Sequence, residues 1–168
     1  LSSLSVRGSP RQSGLCCLRR DGEGKMKTYI PKISEHQKKW YLYDASDQIL
    51  GRLASEIAKK LRGKDNPLFT PHLDMGHYVI VVNAEKVKLS GQKSSTKAYY
   101  HHTGYPGGLR KISFEKMIKE KPERVIAHAV KGMLPHNRLG RKLLKKLHVY
   151  RGREHPHQAQ EPERVQSN

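Results

Sequence analysis

The chain has 168 residues, with 33 Lys and Arg against 15 Asp and Glu, a formal net charge of +18. No run of about 18 apolar residues occurs, which leaves no candidate helical membrane span, and the length suits one domain with a core that is adequate but thin at 35% apolar residues. A charge excess of this size destabilises a compact monomer by self-repulsion, so a polyanion is expected as partner, nucleic-acid phosphate before an anionic membrane surface.

Residues 1–25 (LSSLSVRGSPRQSGLCCLRRDGEGK) show no hydrophobic period and are rich in Ser, Gly and Arg. They hold both cysteines, Cys16 and Cys17. Adjacent cysteines rarely pair with each other, and a zinc site needs two further ligands. Met26 then opens MKTYIPK, which has the look of a start, and residues 21–25 all use codons beginning with two purines, as a ribosome-binding tract read in frame would. The expectation is an extension, disordered or translated from upstream of the true initiation site. Without it, 28 cations face 13 acids, a net +15, and no cysteine remains.

From there strands and helices alternate. Residues 40–45 (WYLYDA) are aromatic and strand-like, ending in a turn at 44–47. Asp47 is the expected N-cap of a helix over 48–62, where Leu50, Leu53, Ala54, Ile57, Ala58 and Leu61 keep the 3.6-residue period, and Gly63 is its expected C-cap. Residues 77–83 (HYVIVVN) form a nearly continuous apolar run, the mark of a strand covered on both faces. A short strand or helical turn is expected at 86–89 and a strand at 98–102, followed by a glycine-rich loop. Ser113 is read as the cap of a helix through about 119, and Pro122 as the N1 residue of another reaching about 132. Residues 148–151 read as a last strand, and 153–168 as an irregular basic and polar tail. Residues 26–152 are thus expected to form one α/β domain.

The most informative stretch is 131–152, KGMLPHNRLGRKLLKKLHVYRG. After Lys131 and the turn residues Pro135, His136 and Asn137, Leu139, Leu143 and Leu147 share one helical face over 138–148. Arg138, Arg141, Lys142, Lys145 and Lys146 share another, with no acid among them to pair with along the helix, which points to an external polyanion. Lys59, Lys60, Arg62 and Lys64 form a second cluster where the first helix ends; they anchor RNA or merely complement the helix dipole.

The second informative stretch holds Tyr99, Tyr100, His101, His102, Thr103, Gly104, Tyr105, Gly107 and Gly108, followed by Arg110 and Lys111. Glycines let backbone amides approach a phosphate or sugar, and the rings stack on unpaired bases. The same glycines also suit an ordinary surface turn. Arg151, Arg153, His155 and His157 are expected to become ordered only against RNA.

Other chemistry has little support. The first strand is not followed by G-x-G-x-x-G, and no Walker loop occurs. Ten histidines raise the question of a metal site, but the chain has no H-E-x-x-H. The basic stripe lacks the Trp or Phe usual on membrane-surface helices. No nucleophile stands beside an evident base, so a non-enzyme without cofactor, metal or small-molecule substrate is expected.

WYLYDASDQILGRLASEIAKKLRGK, TPHLDMGHYVIVVNAEKV, YYHHTGYPGG, PERVIAHAVKGMLP, LGRKLLKKLHVYRG and EHPHQAQ together resemble the bacterial large-subunit ribosomal protein L13 family, over residues 26–162. KGMLP with the following LGR and HVYRG is the most specific part. The resemblance implies a three-layer α/β/α fold with a small, mainly parallel central sheet. It further implies a structural, cytoplasmic ribosomal role in which one copy binds 23S rRNA among neighbouring large-subunit proteins and acts early in subunit assembly.

Overall fold

In the computed structural model, residues 30–32 and 37–165 are described; the expectations for residues 1–25 lie outside them. A central sheet of four strands runs in the order β5-β2-β1-β6, all neighbours parallel. Its strands are β1 (Trp40–Asp44), β2 (Tyr78–Val82), β5 (Leu147–Val149) and β6 (Glu163–Val165). A separate antiparallel hairpin pairs β3 (Ala98–His102) with β4 (Leu109–Ser113). The helices are α1 (Leu50–Arg62), α2 (Lys93–Thr96), α3 (Phe114–Glu120), α4 (Pro122–Met133) and α5 (Arg138–Leu144).

The α/β class with a small parallel central sheet is as expected. Tyr43, Val79 and Val81 turn to one face, where they pack with Leu53, Ile57 and Leu61 of α1, Val125, Ile126 and Val130 of α4, and Leu143 of α5. Each such fully buried aliphatic side chain contributes about 1.5–3 kcal/mol relative to exposure. The opposite face carries the alternate residues of each strand. There Trp40 stacks on Tyr78 with ring centroids 4.4 Å apart, and meets His148 at 5.7 Å and His157 at 5.1 Å. His157 belongs to the segment 150–162, which carries one 3-10 turn (Gln158–Gln160) and lies over this face. Val79, Ile80, Val81 and Val82 are all buried, as a continuous apolar run requires of a strand with two covered faces.

Several local expectations shift for identifiable reasons. Helix α1 starts at Leu50, not 48, and Asp47 is not its cap: Asp47 takes a left-handed φ of +61° and pairs with Lys88 at 2.6 Å. The Leu50 N–H, an orphan donor at the helix start, is satisfied by the Lys88 carbonyl at 2.9 Å. Gly63 ends the helix in the left-handed conformation, as expected. Helix α5 spans seven residues, so Lys145 and Lys146 stand in the turn after it and Leu147 opens β5. Strand β4 and helix α2 went unread in the sequence, since neither has a periodic apolar face. The segment after 152 is not irregular throughout, because β6 pairs with β1 in parallel.

Candidate nucleic-acid interface

The hairpin is built by its loop. Tyr105, Pro106, Gly107 and Gly108 form a turn closed by the Gly108 N–H donating to the Tyr105 carbonyl at 2.9 Å. Pro106 sets the first central position, and Gly107, at φ +72°, takes the left-handed second one. The Thr103 N–H donates to the Gly108 carbonyl at 3.1 Å, and the Gly104 N–H donates to His102 Nδ1 at 2.9 Å. Because Nδ1 accepts, a neutral His102 keeps its proton on Nε2, available as an outward donor.

Strand alternation divides the tyrosines. Tyr100 is 63% exposed and Tyr105 76% exposed, with Lys111 Nζ lying 6.0 Å from the Tyr100 ring centroid. His101, His102, Arg110 and Lys111 are exposed beside them. Tyr99 instead turns inward, edge-on to His128 with centroids 5.4 Å apart. Burial pushes its hydroxyl pKa up, and that hydroxyl has no hydrogen-bond partner. Tyr99 therefore supports the hairpin rather than presenting a ring to a ligand.

The cationic flank is set by Asn137, whose side chain caps α5 by accepting from the Gly140 N–H at 2.8 Å. Arg138, Arg141, Lys142 and Lys145 are exposed and, among the described residues, have no acidic partner, and the same holds for Lys131 at the end of α4. Lys146 breaks the pattern read from the sequence. It is 6% exposed, and its Nζ lies 2.5 Å from Asp74 Oδ1 and 3.1 Å from the Gly76 carbonyl. Burial lowers the ammonium pKa below the ordinary 10.5 although Asp74 pulls it upward. For Asp74, burial raises the carboxyl pKa, but the hydrogen bond and charge of Lys146 outweigh this and leave it lowered. The two directions oppose each other, and the ion pair is the form that fits the geometry, because Nζ has two oxygen acceptors. Lys146 is thus internally paired, not part of an open stripe.

The second cluster is partly internal too. Lys59 and Lys60 share Asp65 at 3.2 and 2.8 Å, and the Arg62 guanidinium lies 5.7 Å from the Phe69 ring centroid. Of the four, Lys64 alone is exposed and has no such partner among the described residues. Arg151 pairs with Glu85 at 3.1 Å. His157 packs against Trp40 with ring centroids 5.1 Å apart and shares a hydrogen bond with the Tyr150 hydroxyl at 2.8 Å, both contacts within the protein itself. Arg153 remains exposed and His155 half-buried. Arg164, which the sequence reading passed over, stands near both; no local signal marks it, since the strand that carries it shows itself only through pairing with β1.

Among the described residues no three His, Cys, Asp or Glu side chains converge to hold a metal ion, and no helix is long and apolar enough to cross a membrane.

Together these features define a small basic α/β protein with an exposed tyrosine–histidine hairpin and an unpaired cationic flank. Residues 38–156 match the family described as Ribosomal protein L13. The chain is 59% identical over 138 residues to the large ribosomal subunit protein uL13 of Syntrophomonas wolfei, covering 82% of this chain and 96% of that one. It is 62% identical over 136 residues to the protein of the same name from Natranaerobius thermophilus, covering 81% and 95%. With that of Chlorobium limicola it shares 58% identity over 142 residues, covering 84% and 95%. The chain belongs to the ribosomal protein L13 family.

Proposed function

We propose that the chain is a structural, non-enzymatic constituent of the large ribosomal subunit, binding 23S rRNA through phosphate and shape contacts and acting early in subunit assembly. The binding domain includes the segment through β6, which pairs with β1 in the central sheet, and a single copy of it sits among neighbouring large-subunit proteins on the cytoplasmic ribosome. Membership of the L13 family and its relatives' designation as large-subunit ribosomal proteins support the subunit assignment. The observation that carries RNA contact is that Arg138, Arg141, Lys142 and Lys145 are exposed and, among the described residues, without acidic partners. These cations position the protein on phosphates without reading sequence. The hairpin, with Tyr100, Tyr105 and the His102 Nε2–H outward, supplies stacking surfaces and donors suited to unpaired bases or a 2′-hydroxyl.

Co-sedimentation tests the assignment. The tagged chain is expected to travel with the large subunit in a sucrose gradient of its native cell. Recovery free of the subunit, or with nucleoid or membrane, would overturn it.

A further inference from the structure

A second feature lies away from the hairpin and α5. The last residues of three parallel strands, Asp44 of β1, Val82 of β2 and Val165 of β6, line a cleft of about 500 Å³. The chain leaving β1 turns to α1 and β2 on one side, while β6 adds to the opposite side of β1. A crevice outside the carboxyl ends of parallel strands, where the strand order reverses, is where open α/β sheets take ligands. Three groups give this crevice anion-binding character: the guanidiniums of Arg153 and Arg164, and the imidazole of His155. Among the described residues neither arginine has an acidic partner, and His155 Nδ1 is buried with no hydrogen-bond partner.

The one acid in the cleft is oriented. Asp44 Oδ1 accepts from the Ser46 N–H at 3.0 Å, the Ser46 hydroxyl at 2.8 Å and Asn83 Nδ2 at 2.9 Å. All three bonds fall on Oδ1, and among the described residues none is directed at Oδ2. A carboxylate held this way beside guanidiniums suits a ligand that carries hydroxyl donors and a phosphate on one small scaffold. Ribose phosphate is that scaffold, and an acid accepting from a ribose hydroxyl is the usual way such sites hold it.

We propose that this cleft is a ribonucleotide site that takes one ribose-phosphate unit, with Arg153 and Arg164 on the phosphate and Asp44 on the sugar hydroxyls. A dinucleotide would need a glycine-rich turn for its pyrophosphate, and none follows β1. A single phosphate needs only side-chain cations. The unit comes either from a free nucleotide or from an RNA end. The site goes beyond the ribosomal role proposed above and does not depend on it, because a free nucleotide probes it whether or not the chain enters subunits.

The test is calorimetric titration of the full chain at low salt with AMP, 2′-deoxy-AMP and inorganic phosphate. AMP is expected to bind, with 2′-deoxy-AMP about tenfold weaker for the lost hydroxyl bond. Arg153→Ala/Arg164→Ala is expected to weaken AMP by at least about tenfold. Arg52→Ala/Arg124→Ala removes the same net charge from the exposed surfaces of α1 and α4 and is expected to leave AMP binding unchanged. Asp44→Asn is expected to erase the preference for AMP over its deoxy form. No AMP binding up to about 10 mM, equal affinity for the two nucleotides, or equal losses in the two arginine pairs would each overturn the proposal. Competition of AMP by a 5′-phosphorylated oligoribonucleotide assigns the natural ligand to an RNA end, and absence of competition to a free nucleotide; either result keeps the site.

Discussion

Two neighbouring lysines show how little local sequence says about a side chain's role. Lys145 is exposed and, among the described residues, without an acidic partner, whereas Lys146 is buried against Asp74 and the Gly76 carbonyl. Truncating Lys146 removes the donor to Asp74 Oδ1 and to the Gly76 carbonyl in a partly dry site, leaving Asp74 with Lys38 at 3.5 Å as its cation. Lys146→Ala is therefore expected to cost about 3 kcal/mol, read as a lower urea midpoint with unchanged slope. Lys145→Ala should stay within about 0.5 kcal/mol of the parent in the same experiment, yet reduce the salt slope of RNA binding by about one. Equal stability losses in the two variants would show that the Asp74 pair is not what the geometry implies. Gly140 carries a different constraint, since a Cβ there would run into the Pro135 carbonyl oxygen. Alanine normally favours a helix, but here Gly140→Ala is expected to destabilise by about 2 kcal/mol, because the loop bearing Pro135 must shift. A thermal melt at or above the parent's would refute that clash.

At the scale of elements, α5 has two separable faces. Leu143 and the half-buried Leu139 and Leu144 close the core, and Arg138, Arg141 and Lys142 face outward, with Lys145 continuing the flank past the helix end. Charge reversal at Arg141→Glu/Lys145→Glu should thus leave the circular dichroism spectrum and melting temperature close to the parent's, while large-subunit incorporation falls by about tenfold or more in a gradient. Normal incorporation would mean another face meets the RNA. The hairpin divides likewise: Tyr99 anchors it inward against His128, and the β3–β4 register puts Tyr100 opposite Lys111 and His101 opposite Arg110. That pairing sets the Lys111 cation over the Tyr100 ring on one face and Arg110 beside His101 on the other, which the order of residues along the chain cannot show.

For the whole molecule, the internal pairing of Lys59, Lys60, Lys146 and Arg151 reduces the charge that self-repels and narrows the cations left for RNA. If some six to ten phosphates are neutralised, affinity should fall by about 10³ to 10⁵ between 50 and 200 mM salt. A filter-binding series giving a flat response would refute the electrostatic account. The aromatic face adds a pH dependence. Burial, with the charge of His157 adding to it, holds His148 below its ordinary 6.5, and the two rings lie 4.8 Å apart under Trp40 and Tyr150. The unfolded chain therefore binds this proton more readily than the folded one. Stability contributed by the neutral ring is fully present above 6.5 and is lost as pH falls from there through the folded value. Urea midpoints should thus be lower at about pH 5.5 than at about pH 7.5, with the difference reduced in His148→Gln. An unchanged difference in that variant would place the titration elsewhere.

The sequence by itself determined the charge excess, the periodic helices, the doubly covered strand β2 and the family, because each is written in composition or in a period of a few neighbouring residues. It also located the hairpin and the basic segment as the places to look. Only the tertiary structure decided which cations are free. Lys146 meets an acid 72 residues away and Arg151 one 66 residues away, separations at which no local pattern carries information. The same holds for β6, whose three residues become a strand only by docking on β1, and for the cleft that β6 completes. Partner choice across long separations is settled by chain packing, where burial makes an unpaired charge costly and a paired one tolerable.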